Sequence, residues 1–241
     1  MAYDHIHDEI VVPQFMTFAI LTFAGNADGN VPPIRKIFGP DTQIKNNDAV
    51  SIDPVHNEYF VPQDDNRLLV FDRMANGNVK PKRILITDDP DPNRVTVDYV
   101  HNLLIVSGGP KIRIYRREAE GKEKPLRVIQ IPKEYYPKGI DDGASGGEGG
   151  QQNQTALMTI NSQRGLVFVN TRIGGRFALE DFVGVWSVFD DGEVYPLYTI
   201  GGPNNLLKDV RGIALDPKEK MVIVSDKTHN AIFNFHVPEV F

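Results

Sequence analysis

The sequence predicts an all-β fold: a β-propeller of about five four-stranded antiparallel blades, with the ring ends incomplete. Three observations predict it. Two short sequence markers recur along the chain. Their spacings lengthen together. Each repeat reads as four short strands separated by turns.

The first marker is an acidic or amide residue closing a strand, then a turn, then a second apolar strand. It occurs as DHIHDEIVV from Asp4, DPVHNEYFV from Asp53, DYVHNLLIV from Asp98, NSQRGLVFV from Asn161 and DPKEKMVIV from Asp216. The second marker is a Gly-x-Val-x-Pro-x-Arg hairpin. It occurs as GNVPPIR from Gly29 and GNVKPKR from Gly77, with weaker copies GKEKPLR from Gly121 and GEVYPLY from Gly192. First markers follow one another at 49, 45, 63 and 55 residues, and the hairpins at Gly77, Gly121 and Gly192 at 44 and 71. Both markers therefore report the same insertions in the second half of the chain. The repeats run approximately over 1–46, 47–90, 91–153, 154–207 and 208–241, as one domain.

The elements follow in order. The first repeat opens inside its innermost strand at Met1–Asp4. The second has strands at 49–53, 58–62, 67–72 and 83–87. The fifth supplies VRGIALD, MVIVSD and AIFNF, then stops at Phe241 before any hairpin marker. The chain thus reads as about four and a half blades, an imperfectly closed five-bladed ring or part of a six-bladed one. Residues 231–235 are expected to form an open edge strand, left unpaired or covered by another chain, because edge backbone groups keep their pairing capacity. Runs such as LLIV, LVFV and VGVWSVF are apolar on both faces, as expected of sheets packed between two neighbours. A two-sheet sandwich would not require both markers to repeat so regularly. Helix is expected nowhere outside the insertions.

Composition bounds the function. The 241 residues carry a net charge of -6, which favours solubility and argues against a nucleic-acid surface. The chain is cysteine-free, which excludes disulfides and thiolate metal sites. No apolar run approaches the ~18 residues of a membrane span. The opening MAYDHIHDEIVVPQ has neither a basic n-region nor an apolar h-region, so no signal peptide is expected in it. GxSxG, HExxH and P-loop signatures are absent, and Gly146–Gly150 is fed by no strand and followed by no helix.

The strand-loop-strand VSDKTHNAIFNF resembles the core of NHL-type propeller repeats. The ANGNVKPKRIL hairpin is similar to repeats of bacterial NHL-like and SMP-30-like propellers. The resemblance covers nearly the whole chain. It implies fold more than function, since that fold hosts lyases, lactonases, RNA binders and scaffolds. It also implies a periplasmic or extracellular setting.

In an up-and-down blade with strands a to d, the b–c and d–a loops share one face. Two insertions emerge there beside the fourth blade: a d–a loop near 133–155 and a b–c loop at 171–182. Long loops on a rigid repeat scaffold usually carry recognition. The first offers Tyr135 and Tyr136, and its Gly-rich part, 141–152, is expected to be mobile. The second offers Arg172, Arg176, Phe177 and Glu180. Asp226 and His229 lie in a b–c loop on the same face. His7, His56 and His101 occupy one repeat position in the a–b turn, which argues for a shared turn role. The basic hairpin containing Arg113, Arg116, Arg117 and Arg127 is interleaved with Glu and reads as a solvated outer edge.

The leading functional reading is a non-enzymatic scaffold that binds a protein or small-molecule ligand on this face. One alternative is a metal-dependent hydrolase or lactonase of the SMP-30-like kind, or an NHL-type lyase. NHL-type lyases use several axial His, and none stands at the inner-strand starts here. The SMP-30-like pattern implies a divalent cation such as Ca²⁺ held by Asp48, Asn93 and Asp209, with Arg94 and Arg211 on the same rim. A further alternative is a subunit or fragment of a larger assembly.

Overall fold

The computed structural model describes residues 1–45, 47, 49–63, 65–88, 92, 94–108, 110–132, 158–173, 180–201 and 206–241, with 172, 173 and 180 described by backbone position alone. The fold is all-β. Its five small sheets follow one another along the chain as the blades of a five-bladed β-propeller arrangement. The described residues contain no α-helix, only short 3-10 turns such as Phe15–Thr17, Pro40–Thr42 and Pro238–Val240.

Blade one is β1 (Ala2–Asp4), β2 (Glu9–Gln14), β3 (Ala19–Ala24) and β4 (Arg35–Ile37). Blade two is β5 (Ser51–Asp53), β6 (Glu58–Pro62), β7 (Arg67–Asp72) and β8 (Arg83–Ile86). Blade three is β9 (Arg94–Asp98), β10 (Leu103–Gly108), β11 (Lys111–Arg116) and β12 (Arg127–Gln130). Blade four has β13 (Met158–Asn161), β14 (Leu166–Ile173), β15 (Glu180–Ser187) and β17 (Tyr198–Ile200). The short β16 (Gly192–Glu193) leaves this blade to pair in parallel with β12. Blade five has three strands, β18 (Val210–Asp216), β19 (Met221–Asp226) and β20 (Ala231–His236). Among the described residues β20 pairs only with β19, so its outer edge is open as expected.

By contacts the chain divides into two compact units, and the dividing line runs along the third sheet. The first unit is Met1–Val106 with Tyr115–Pro125, and the second is Ser107–Ile114 with Leu126–Phe241. In the first, the inner strand β1 lies beside β5, and β5 beside β9. Two cores fill it. One gathers Val11, Ile20, Ile37, Tyr59 and Phe71, the other Phe60, Leu68, Leu104 and Tyr115. In the second unit β13 lies beside β18, and the core gathers Phe168, Val185, Val210, Val224 and Val240. After β20 the chain doubles back. The Asn161 side-chain amide donates to the Val240 carbonyl at 2.9 Å, and Val240 is fully buried.

The expectation of two-sided burial holds for the middle blades. Every residue of β6 and β10 is buried. It fails at the two end blades. β20 alternates, with Ile232, Asn234 and His236 exposed, and β2 is buried at only two of its six positions. The alternation of AIFNFH matches one buried and one exposed face of that strand.

The Gly-x-Val hairpin joins blades two, three and four each to the blade before. Gly77 bridges in parallel to Ile37, Gly121 to Leu85 and Gly192 to Ile129. The Gly77 amide donates to the Lys36 carbonyl at 2.7 Å, and the Phe38 amide donates to the Gly77 carbonyl at 3.1 Å. The residue before the glycine adds a side-chain acceptor: Asn76 Oδ1 takes the Lys36 amide, and Asp191 Oδ1 the Val128 amide. Glycine is needed because φ is +83° at Gly77, +59° at Gly121 and +79° at Gly192, a region that L side chains resist. The marker is thus a clasp that one blade closes on its predecessor's outer strand.

Candidate functional site

The a–b turns are built alike. In each of three turns the Asp carboxylate accepts the backbone amides two and three residues on, and its second oxygen meets the His ring at 2.7–2.8 Å. The pairs are Asp4 with His7, Asp53 with His56 and Asp98 with His101. The shared turn role is present, with the carboxylate rather than the backbone as the His partner. Asp216 forms the same turn without a His, through the amides of Lys218 and Glu219.

A second recurring device went unread in the sequence. Glu9 opens β2 and meets both Arg35 of its own blade and Arg73 of the next. Glu58 opens β6 and meets Lys82 and Arg83 of its own blade and Arg117 of the next, at 2.6–2.9 Å. Burial opposes ionisation of Glu58. The hydrogen bonds and charges of Arg83 and Lys82 outweigh it and hold the carboxyl down at about 2. Each lock couples residues from two repeats, so its only local signal is Glu just after the turn in EIVV and EYFV. The basic hairpin of blade three is therefore only partly a solvated edge. Arg116 and Glu123 pair in solvent, but Arg113 and Arg117 are buried.

Of the expected recognition residues, Arg172 and Glu180 stand on strands of blade four, and Asp226 and His229 belong to blade five. The described residues of the stretch read as a b–c loop, 171–173 and 180–182, are strand. β14 and β15 stay in register out to Ile173↔Glu180, which makes both strands eight residues long. Arg172 stands opposite Asp181 in this ladder, and Glu180 opposite Ile173. TRIGGRFALEDF reads as a loop because Gly174 and Gly175 interrupt it and its ends do not alternate. Tyr135, Tyr136, Arg176, Phe177 and the segment 141–152 lie outside the described residues, as do Asp48 and Asn93.

At the base of the extended hairpin two buried carboxylates grip one stretch of backbone. Asp226 Oδ2 accepts the amides of Lys208 and Asp209 at 2.6 and 3.0 Å, and its Oδ1 accepts that of His229 at 3.0 Å. Asp181 Oδ2 accepts the Val210 amide at 2.7 Å, and the buried Asn170 side chain donates to the Val210 carbonyl. Asp226 is thus engaged by three backbone amides. The His229 ring packs edge-on against Phe233. Asp209, expected as an oxygen ligand, forms an ion pair with Arg211 at 3.0 Å. Among the described residues no three His, Asp or Glu side chains cluster as a metal ion would require. Asp181 and Asn170 were missed in the sequence, where they read as ordinary strand residues. A groove on the second blade is lined by Asn66, Ile86, Thr87 and Asp88 and by the hairpin Lys122–Pro125.

No protein-family model matches the chain, and no curated protein matches it.

Proposed function

We propose that the protein is a non-enzymatic propeller scaffold that binds a protein or small-molecule partner on the b–c and d–a side of blade four. One observation carries the reading. The b–c hairpin of blade four continues as paired strand to Ile173 and Glu180, whereas the b and c strands of the other blades run five or six residues. A paired, twisted ribbon presents side chains at lower ordering cost than a free loop, which favours binding. Its base is braced by Asp181 and Asn170 against the backbone at Val210. Arg172 and Glu180 stand on the ribbon; together with Arg176, Phe177, Tyr135 and Tyr136 from the two insertions of the sequence, they are the charged and aromatic anchors of this reading, the kind that dominate interface energies. Asp226 and His229 belong to the same proposed face. The NHL-type and SMP-30-like character of the motifs is compatible with this use, since such repeats serve as recognition platforms as well as enzymes.

The test is a pull-down followed by titration of the captured partner. Replacing Arg176 and Phe177 by Ala is expected to weaken binding by about 1–3 kcal/mol. Unchanged binding, with loss instead on altering the hairpins at Gly77 or Gly121, would move the site to the opposite face and sink the reading.

A further inference from the structure

We propose that the hairpin of blade one, around Gly29, is a strand-docking site that receives an extended segment of the pattern Pro-x-Arg-x-Ile/Leu from a partner protein other than a second copy of this chain. The structure contains three filled examples of this docking. Gly77, Gly121 and Gly192 each pair in parallel with an outer strand, at Ile37, Leu85 and Ile129. Those strands read Pro33-Ile-Arg-Lys-Ile37, Pro81-Lys-Arg-Ile-Leu85 and Pro125-Leu-Arg-Val-Ile129. The occupant's chemistry is therefore given by the molecule itself.

The fourth clasp is built to the same plan and stands empty. Gly29 has the clasp conformation, φ +68°, and the same Asn-Val sequence after it as Gly77. Asp28 stands where Asn76 and Asp191 stand and offers the same side-chain acceptor. Among the described residues neither the backbone of Gly29 nor the carboxylate of Asp28 has a hydrogen-bond partner. The apolar positions of the hairpin tell the same story. Ala75 and Val79 of the filled clasp pack on a core, and Ala119 of the next is 1 % exposed. Their counterparts in blade one, Ala27 and Val31, are both exposed, Val31 at 43 %.

This surface continues an interface repeated three times in the same chain. Unpaired backbone groups on a preformed edge are the usual receptor for strand addition. Charge favours the stated occupant: the outer strands carry Arg35 and Lys36, Lys82 and Arg83, or Arg127, and Asp28 is acidic. The surface is separate from the ribbon of blade four, so the two proposals stand or fall independently.

A labelled peptide copying residues 32–39, PPIRKIFG, is titrated against the whole chain, with the Gly29 amide followed by hydrogen exchange. Saturable binding is expected, together with slowed exchange at Gly29. The exposed substitution Asp28→Ala is expected to weaken binding about tenfold, the loss of one hydrogen bond to a charged acceptor. A peptide with Pro at the Phe38 position lacks the amide that the clasp carbonyl accepts, and is expected to bind at least as poorly. Asn76→Ala, at a filled clasp, is expected to leave peptide binding unchanged. Three results would each overturn the proposal: no saturable binding at millimolar peptide, binding indifferent to both Asp28→Ala and the Pro peptide, or self-association of the chain abolished by Asp28→Ala, which would make a second copy the occupant.

Discussion

At the scale of single residues, charge is placed where repeats meet. Glu58 is 3 % exposed, yet it answers Arg83, Lys82 and Arg117. Ions are costly to bury unless their hydrogen bonds are satisfied, and here the lone pairs of the carboxylate are all engaged. Glu58→Gln leaves Arg83 and Arg117 largely buried against a neutral amide. Unfolding in urea is expected to show a loss of about 3 kcal/mol, the usual cost of removing one partner from a buried pair. The same residue sets an acid response. Its carboxyl is held at about 2 in the fold against an ordinary 4.5. A carboxyl lowered on folding stabilises at pH above its unfolded value, and that stability drains as pH falls through the folded value. Stability is thus expected to decline between about pH 4.5 and 2, by on the order of 3 kcal/mol from this group. In Glu58→Gln that portion of the decline should vanish. An acid limb identical in both proteins would show that Glu58 does not govern it.

At the scale of elements, the strands were legible where the signals are local. The second-repeat strands 58–62 and 67–72 coincide with β6 and β7, and VRGIALD and MVIVSD coincide with β18 and β19. Each is bounded by a turn that Asp, Asn or Gly fixes within a few residues. The partners of the Gly-x-Val hairpin were not legible. They lie 36 to 63 residues upstream, Leu85 from Gly121 at the near end and Ile129 from Gly192 at the far end, and nothing in the hairpin names them. The ribbon of blade four was missed for a related reason. Its pairing is stabilised across β14 and β15, not by either segment alone. Blade five offers the element-scale prediction. β20 has one neighbour, so about half of its amides point away from β19 with no strand to receive them. Hydrogen exchange of the isolated chain should divide the amides of Ala231–His236 into an alternating fast and slow set. Those of Leu68–Phe71, inside a sheet with partners on both sides, should be uniformly slow. Uniform protection along β20 would mean that its edge is covered.

At the scale of the whole molecule, one repeat position can be followed through all five blades. Ile20, Leu68, Ile112, Val183 and Ile232 stand at matching places in the third strand of their sheets. The first four are fully buried, and Ile232 is 70 % exposed. Sequence alone treats these residues as alike, since each is an aliphatic in an apolar strand. What separates them is how far the fold buries each of them, a property of the arrangement and not of the segment. Stability in a stacked repeat fold is approximately a sum of repeat and neighbour terms, so equivalent truncations measure the neighbour directly. Leu68→Ala and Ile112→Ala each remove methyl groups from a closed core and are expected to cost about 2–5 kcal/mol. Ile232→Ala removes apolar area that water already covers, and is expected to fall within about 0.5 kcal/mol of the parent. Urea midpoints of the three variants check this, with an unchanged urea dependence to certify that the unfolded states are comparable. A cost for Ile232→Ala approaching that of Leu68→Ala would mean that the outer face of blade five is covered in solution, and the one-sided burial of that blade would have to be abandoned.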